Sequence, residues 1–215
     1  DPGDDCVDES WQPPPPDPYG RSKLEAEQRL FAIGRDSGMQ VTVLRPALVY
    51  GPAVKGNLLR MLQAIDNGRF PPLPETGNRR SMVSVDDLVD AARLAADSAH
   101  ADGQVYIVSD DARYSTRQLS DWMHGALDRK VPAWSIPLFL LRAGALLGDG
   151  MEALSGRPLP LNSALLQRLL GSACYRSGKI QRELGWRPRV HFRDCLAGMV
   201  SAYRAVTVSK QSQPG

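Results

Sequence analysis

"DPYGRSKLEAEQRL" (residues 17–30) decides how the rest of the chain is read. Asp17 followed by Pro18 is a helix-start signal. The carboxylate suits the N-cap, and proline suits the first helical position, where its missing N–H costs nothing. A helix beginning there puts Tyr19 and Lys23, four residues apart, on one face with their polar tips toward a common space. Leu24, Leu30, Phe31 and Ile33 are interleaved with Glu25, Glu27 and Arg29, and the pattern predicts an end between Gly34 and Gly38. Upstream, residues 1–18 are polar and close on "PPPPDP", a run that favours extended or polyproline backbone.

The pair is either two ordinary residues of a helical face or an acid–base couple. A free phenol, with a pKa of roughly 10, is a poor base at neutral pH. A nearby ammonium favours the phenolate. Such a group can take the proton of a sugar hydroxyl while hydride leaves the same carbon.

Beyond the helix, "MQVTVLRPALVYGP" (39–52) is apolar and β-branched and predicts one buried strand. With the helix before it, this makes the second half of a βαβ unit in a parallel sheet. Residues 56–68 predict a helix with Leu58, Leu59, Leu62 and Ile65 on one face. Then come a strand over 78–85, a helix over 87–99, a strand over 104–110 and a helix over 115–127. Helical patterns fill most of 136–171 and recur at 177–184 and 192–205, and the tail after Val208 is expected to be disordered.

Composition narrows the classes. The 215 residues are 42% hydrophobic and 23% charged, ordinary for a globular chain. A net charge of +2 with no basic stripe argues against nucleic acid as a partner. Three cysteines, Cys6, Cys174 and Cys195, are odd in number and far apart, which argues against disulfides and for a reducing, cytoplasmic setting. The histidines are scattered without metal-ligand spacing, so no metal site is expected. The longest apolar run, "IPLFLLRAGALLG" (136–148), is broken by Arg142 and too short to span a bilayer. It is expected to be a buried or amphipathic helix, and no membrane partner is expected.

Taken in order, the "PPDPYGRSKLEAEQRL" and "VTVLRPALVYGP" strings, "GNLLRML", "NRRSMVSVDDLVDA" and "KIQRELGWRP" resemble the extended short-chain dehydrogenase/reductase family. The likeness is to its NAD-dependent epimerase/dehydratase group acting on nucleotide sugars, and it runs from about Glu9 to Tyr203. It implies an α/β fold: the C-terminal part of a Rossmann-type doubly wound sheet plus a mixed α/β substrate-binding domain. Residues 1–52 would be a remnant of the NAD(P)-binding domain and 53–208 mainly substrate domain, with some of its segments returning to the Rossmann sheet and 209–215 a disordered tail.

By the same resemblance Tyr19 is the general acid/base, while Lys23 supports it and holds the cofactor ribose. Pro46, Ala47 and Leu48 flank nicotinamide and sugar. Asn57 lies near the nucleotide phosphates, and Arg80 pairs with the diphosphate, a role its planar fork suits. Outside the resemblance, Asn57 reads as a helix N-cap and Arg80 as a solvated strand-end cation. Asp86, Asp87 and Trp186 read as capping and packing residues.

The departures are specific. The family's glycine-rich dinucleotide loop and its catalytic Ser or Thr lie well upstream of the Tyr–Lys helix, and only eighteen residues precede Tyr19 here. The one G-x-G-x-x-A match, Gly148–Ala153, follows a helical pattern rather than a strand and is taken as chance. Leu48 replaces a frequent Asn, and Arg176 a frequent Asp. The expectation is therefore an NAD- or NADP-dependent nucleotide-sugar epimerase or 4-keto reductase, with a UDP-linked sugar and a role in surface polysaccharide synthesis. It would be met as a C-terminal part, with a homodimer or a complementing N-terminal half as partner. A dehydratase would need an acidic pair before the tyrosine, where only Asp17 stands. The competing expectation is a non-catalytic chain that keeps nucleotide-sugar or protein binding.

Overall fold

A computed structural model describes residues 6–11, 17–156 and 162–211, with side chains as far as Thr207. The proline run over 12–16 lies outside the described residues. Helix α1 (Pro18–Ser37) starts as its sequence requires: the Asp17 carboxylate accepts from Gly20 N at 2.6 Å and Pro18 takes the first position. It ends on Gly38, whose φ of 72° is open to glycine at little cost. Gly34 brings the helix against the extended segment after it, because a Cβ there would sit 2.7 Å from Val41 Cγ2.

The run at 39–52 is not one strand. It forms β1 (Val43–Pro46) and β2 (Leu48–Tyr50), which pair with different neighbours. β1 runs parallel to β4 (Val105–Val108), and β2 runs parallel to β3 (Met82–Ser84). The change of partner falls on Ala47, whose N–H still reaches Val108 O at 2.9 Å. Asp110 N donates to Met82 O at 2.7 Å and ties the end of β4 to β3.

Between the strands lie α2 (Gly56–Asp66) and α3 (Val85–Asp97), and α4 (Thr116–Ala126) follows β4. Ser84 and Ser115 cap α3 and α4 through Asp87 N and Gln118 N. α5 (Leu138–Ser155), α6 (Ser163–Leu170), α7 (Gly178–Leu184) and α8 (Phe192–Gln211) complete the described chain. Residues 209–211, expected to belong to a disordered tail, continue α8 as helix, and 212–215 lie outside the described residues. The strand expected over 78–85 is short as well: Arg79 and Arg80 reach Ala173 and Tyr114 through backbone bonds before β3 begins.

Apolar burial falls in three groups. Tyr50, Leu62, Met82, Met123, Phe192 and Met199 join α2, α4 and α8 to the sheet. Val83, Ala91, Tyr106, Ile180 and Trp186 fill the space between sheet, α3 and α7. A smaller group, Leu73, Leu141, Ala145 and Leu166, holds α5 on α6. Trp186 is 1% exposed, with its indole N–H donating to Asp87 O at 3.0 Å, and the Asp87 carboxylate accepts the N–H groups of Arg189 and Val190.

The reading of the cysteines is corrected here. Cys6 and Cys174 form a disulfide across 168 residues, and Cys195 is free. The backbone explains the pairing: Val7 N donates to Cys174 O, and Arg176 N to Val7 O, so the two segments run side by side. The case for a reducing compartment built on unpaired cysteines loses its support.

Candidate active site

α1 delivers Tyr19 and Lys23 together. The Lys23 ammonium lies 5.4 Å from the centre of the Tyr19 ring, and Tyr19 is 71% exposed. One turn beyond Lys23, the Glu27 carboxylate takes both prongs of Arg45, at 3.0 Å to Nε and 2.5 Å to Nη2. This fork-on-carboxylate pair docks the helix on β1, and Arg45 immediately precedes Pro46. Glu27 also holds the Arg45 guanidinium above its ordinary range, mainly through these hydrogen bonds. Sequence reasoning passed over this clamp, although an acidic residue eight past Tyr19 on the same face was the signal for it.

Pro46, Ala47 and Leu48 occupy the switch between β1 and β2. Ala47 is buried, while Pro46 and Leu48 are exposed. Asn57 lies exposed in the first turn of α2 and is not the cap, a position held by Lys55.

Arg80 is half-buried and, among the described residues, has no carboxylate partner. Its Nε donates to Thr116 Oγ1 at 3.3 Å and its Nη2 to Arg168 O. Burial pushes its guanidinium below the usual arginine range. It is therefore no solvated strand-end cation. Asn78 and Thr116, which the sequence did not single out, orient it: Asn78 Nδ2 donates to Thr116 Oγ1 at 2.9 Å, and Thr116 N returns a bond to Asn78 Oδ1. Asn78 also lines a cavity of about 580 Å³ between the Thr76–Asn78 loop, α5 and α6. No hydrogen bond or ring contact joins Asn57 or Arg80 to the Tyr19–Lys23 pair among the described residues. There is likewise no cluster of three or more acidic, His or Cys side chains able to hold a metal.

The glycine-rich match at Gly148–Ala153 lies inside α5, so it cannot form a strand-to-helix phosphate turn. The residues present fit the nicotinamide-ribose end of a dinucleotide, where an ammonium and a phenol converge. A cradle for its pyrophosphate is not among the described residues.

The parallel β–α arrangement, with a Tyr-x-x-x-Lys helix pinned beside the strand after it, defines a Rossmann-type α/β architecture. The chain belongs to the NAD dependent epimerase/dehydratase family, whose model matches residues 1–109. UDP-glucose 4-epimerase of Vibrio cholerae is 36% identical over 182 residues, covering 81% of this chain and 50% of that protein. The N-acetyl-alpha-D-glucosaminyl-diphospho-ditrans,octacis-undecaprenol 4-epimerase of Escherichia coli O157:H7 is 23% identical over 175 residues, covering 80% and 53%. The crystal structure of a Thermotoga maritima UDP-glucose 4-epimerase with UDP-glucose shares the fold. Its TM-score is 0.67 at 22% identity, over 94% of this chain and 58% of that one. The chain spans about half the length of the curated relatives it matches.

Proposed function

We propose that the chain carries the proton-transfer and nucleotide-sugar side of an NAD(P)-dependent epimerase or 4-keto reductase. The substrate is a UDP-linked sugar, N-acetylated by preference, in surface polysaccharide synthesis. The carrying observation is the Tyr19–Lys23 pair on a helix clamped to β1 by Glu27 and Arg45. The dinucleotide, when bound, supplies the hydride acceptor and donor. Tyr19 exchanges the proton of the sugar hydroxyl, and the Lys23 ammonium provides positive charge beside the phenol and donors for the cofactor ribose. Pro46, Ala47 and Leu48 form the floor between cofactor and sugar. Arg80, oriented by Thr116 and Asn78, holds diphosphate oxygens with the guanidinium N–H groups it has to spare. Asn57, on the first turn of α2, faces the phosphates. In this reading the cofactor side reaches to residue 52 and the substrate side begins at 53.

The second reading, a binding module without turnover, draws on the absence of a phosphate-binding glycine turn among the described residues. Calorimetric titration with UDP, UDP-N-acetylglucosamine and NAD⁺ separates the two. Both UDP species are expected to bind, and Arg80→Ala is expected to weaken them about tenfold or more. Tyr19→Phe should leave UDP affinity unchanged. Binding of NAD⁺ supports the enzyme reading and its absence the binding module. Loss of UDP binding altogether overturns both.

A further inference from the structure

Three polar side chains share one face of α1 at four-residue steps: Tyr19, Lys23 and Glu27. The positions one turn from Lys23 hold Tyr19, Gly20, Ala26 and Glu27, so Glu27 is the one acid within its helical reach. Left to itself the helix would close that pair, and the carboxylate would offset the positive charge beside the Tyr19 phenol. The structure shows another arrangement. Arg45 takes both Glu27 oxygens, Oε1 with Nε at 3.0 Å and Oε2 with Nη2 at 2.5 Å. Lys23 stands exposed, with its ammonium 5.4 Å from the centre of the Tyr19 ring. It makes no ion pair among the described residues. The other acids nearby are committed as well. Asp17 accepts from Gly20 N at 2.6 Å, Glu25 holds Arg29 at 2.5 Å, and Glu9, whose charge also reaches Arg45, accepts from Ile107 N at 2.8 Å.

We propose that Arg45 is a positioning residue for the proton-transfer pair. By occupying both oxygens of Glu27 from β1, it withholds from Lys23 the one carboxylate its helix offers and leaves the ammonium to Tyr19. The competition has a clear winner. A guanidinium meets a carboxylate through two parallel N–H bonds, whereas an ammonium meets it as a point charge. The Arg45–Glu27 pair is also partly withdrawn from water, at 32% and 18% side-chain exposure, while Lys23 would have to pair from the exposed surface. A lysine N-terminal to its glutamate is, in addition, the weaker order for an i,i+4 pair. Docking α1 on β1 needs only one contact at position 45. Two prongs on both oxygens are what leaves Glu27 nothing for Lys23. The inference rests on the reading of Tyr19 and Lys23 as an acid–base couple, and adds to it a residue that bonds to neither.

The test is acetylation of the folded 215-residue chain with an N-hydroxysuccinimide ester, read lysine by lysine by mass spectrometry, with the exposed Lys55 as internal reference. An ammonium held by a carboxylate is acylated more slowly, so Arg45→Met is expected to lower the Lys23 rate about twofold. Arg45→Met together with Glu27→Gln is expected to restore it, and Glu27→Gln alone to leave it at the parent value. A docking role alone gives a different sign: Lys23 is already exposed, and a loosened α1 would leave its rate unchanged or raise it in all three variants. Arg45→Lys, which keeps the charge on β1 without the fork, should fall part of the way, and it is the variant to read if Arg45→Met does not melt cooperatively. Ala26→Glu leaves the clamp intact and offers Lys23 an uncommitted acid at an exposed position, so it should reproduce the fall. An unchanged or faster Lys23 in the folded Arg45 variant, a fall that Glu27→Gln does not reverse, or no fall in Ala26→Glu overturns the proposal. Acetylation needs neither UDP nor NAD⁺. Loss of UDP binding would therefore strike the functional reading and leave this result standing, and unchanged labelling would strike the inference and leave UDP binding standing.

Discussion

The helix that carries Tyr19 and Lys23 buries one residue, Gly34, whereas the wall of β3, α7 and α8 holds Val83, Ile180, Trp186, Phe192 and Met199 at or below 1% exposure. The two regions are fixed by different physics. The wall stands on apolar area removed from water, at about 25 cal/mol per Å². α1 stands on the close approach at Gly34–Val41, a forked ion pair, its two caps and the half-buried Leu24 and Phe31. The residues proposed for chemistry therefore sit on the thinly held element, while Arg80, proposed to hold diphosphate, lies two residues before β3. Local opening should track that division.

The strongest challenge to the dense side is Trp186→Ala. Removing a fully buried indole and the bond it donates to Asp87 O should cost about 4 kcal/mol and collapse the cooperative urea transition. A midpoint near that of the parent would mean that α7 is not part of the wall.

Next is the covalent tie. Cys174→Ser should lower stability by about 2–4 kcal/mol. Dithiothreitol should bring the parent down to the same thermal midpoint and leave the variant unmoved. Equal melting of parent and variant without reductant would deny the bond any stabilising part.

Gly34→Ala probes the thin side alone. The new Cβ meets Val41 Cγ2 and Met39 O, so about 1–2 kcal/mol of overpacking is expected. Hydrogen exchange should quicken across α1 and stay slow in β3 and α8. Quickening in both regions would erase the distinction between them.

The smallest effect concerns Asp66, where α2 meets α8. The Arg129 guanidinium, then the Tyr203 hydroxyl, hold its carboxyl below the ordinary value of 3.8. A carboxyl with a depressed folded pKa contributes stability above its unfolded value and loses it as pH falls through the folded one. Arg129 is 53% exposed, so the contribution is below about 1 kcal/mol. Asp66→Asn should flatten the acid limb of stability against pH below 3.8 and change little at neutrality. An identical acid limb in the variant would remove Asp66 from the linkage.

What was legible in the sequence is what local chemistry decides. Asp17-Pro18 and Gly38 bound α1 and Ser115 starts α4, because caps are written within a few residues of the turn they serve, whereas α3 begins at Val85 on Ser84 rather than on Asp86 and Asp87, to which the sequence reading gave the cap. Pairing across the chain is not written that way. Ala47 looks like any interior strand residue, yet it marks the change from β4 to β3. Cys6 and Cys174 meet only because residues 6–8 run beside 173–176. The candidate site divides similarly. The Tyr19–Lys23 spacing was visible, but the partners that aim Arg80 come from the 78 and 116 positions and had no common motif. The apolar content of α5 was plain, whereas the side it turns to α6, with Leu141 and Ala145 packed against Leu166, depends on a contact across the chain.

The bond between Cys6 and Cys174 has a topological consequence. Residues 6–174 form a closed covalent ring that contains every described strand and α1 to α6, and α7 and α8 are a free arm attached to it. A protease cutting once anywhere within the ring leaves one molecule, which separates into two pieces only when reduced. A cut in the segment after residue 174 releases the arm, and with it Trp186 and Phe192, the side chains that close the interior.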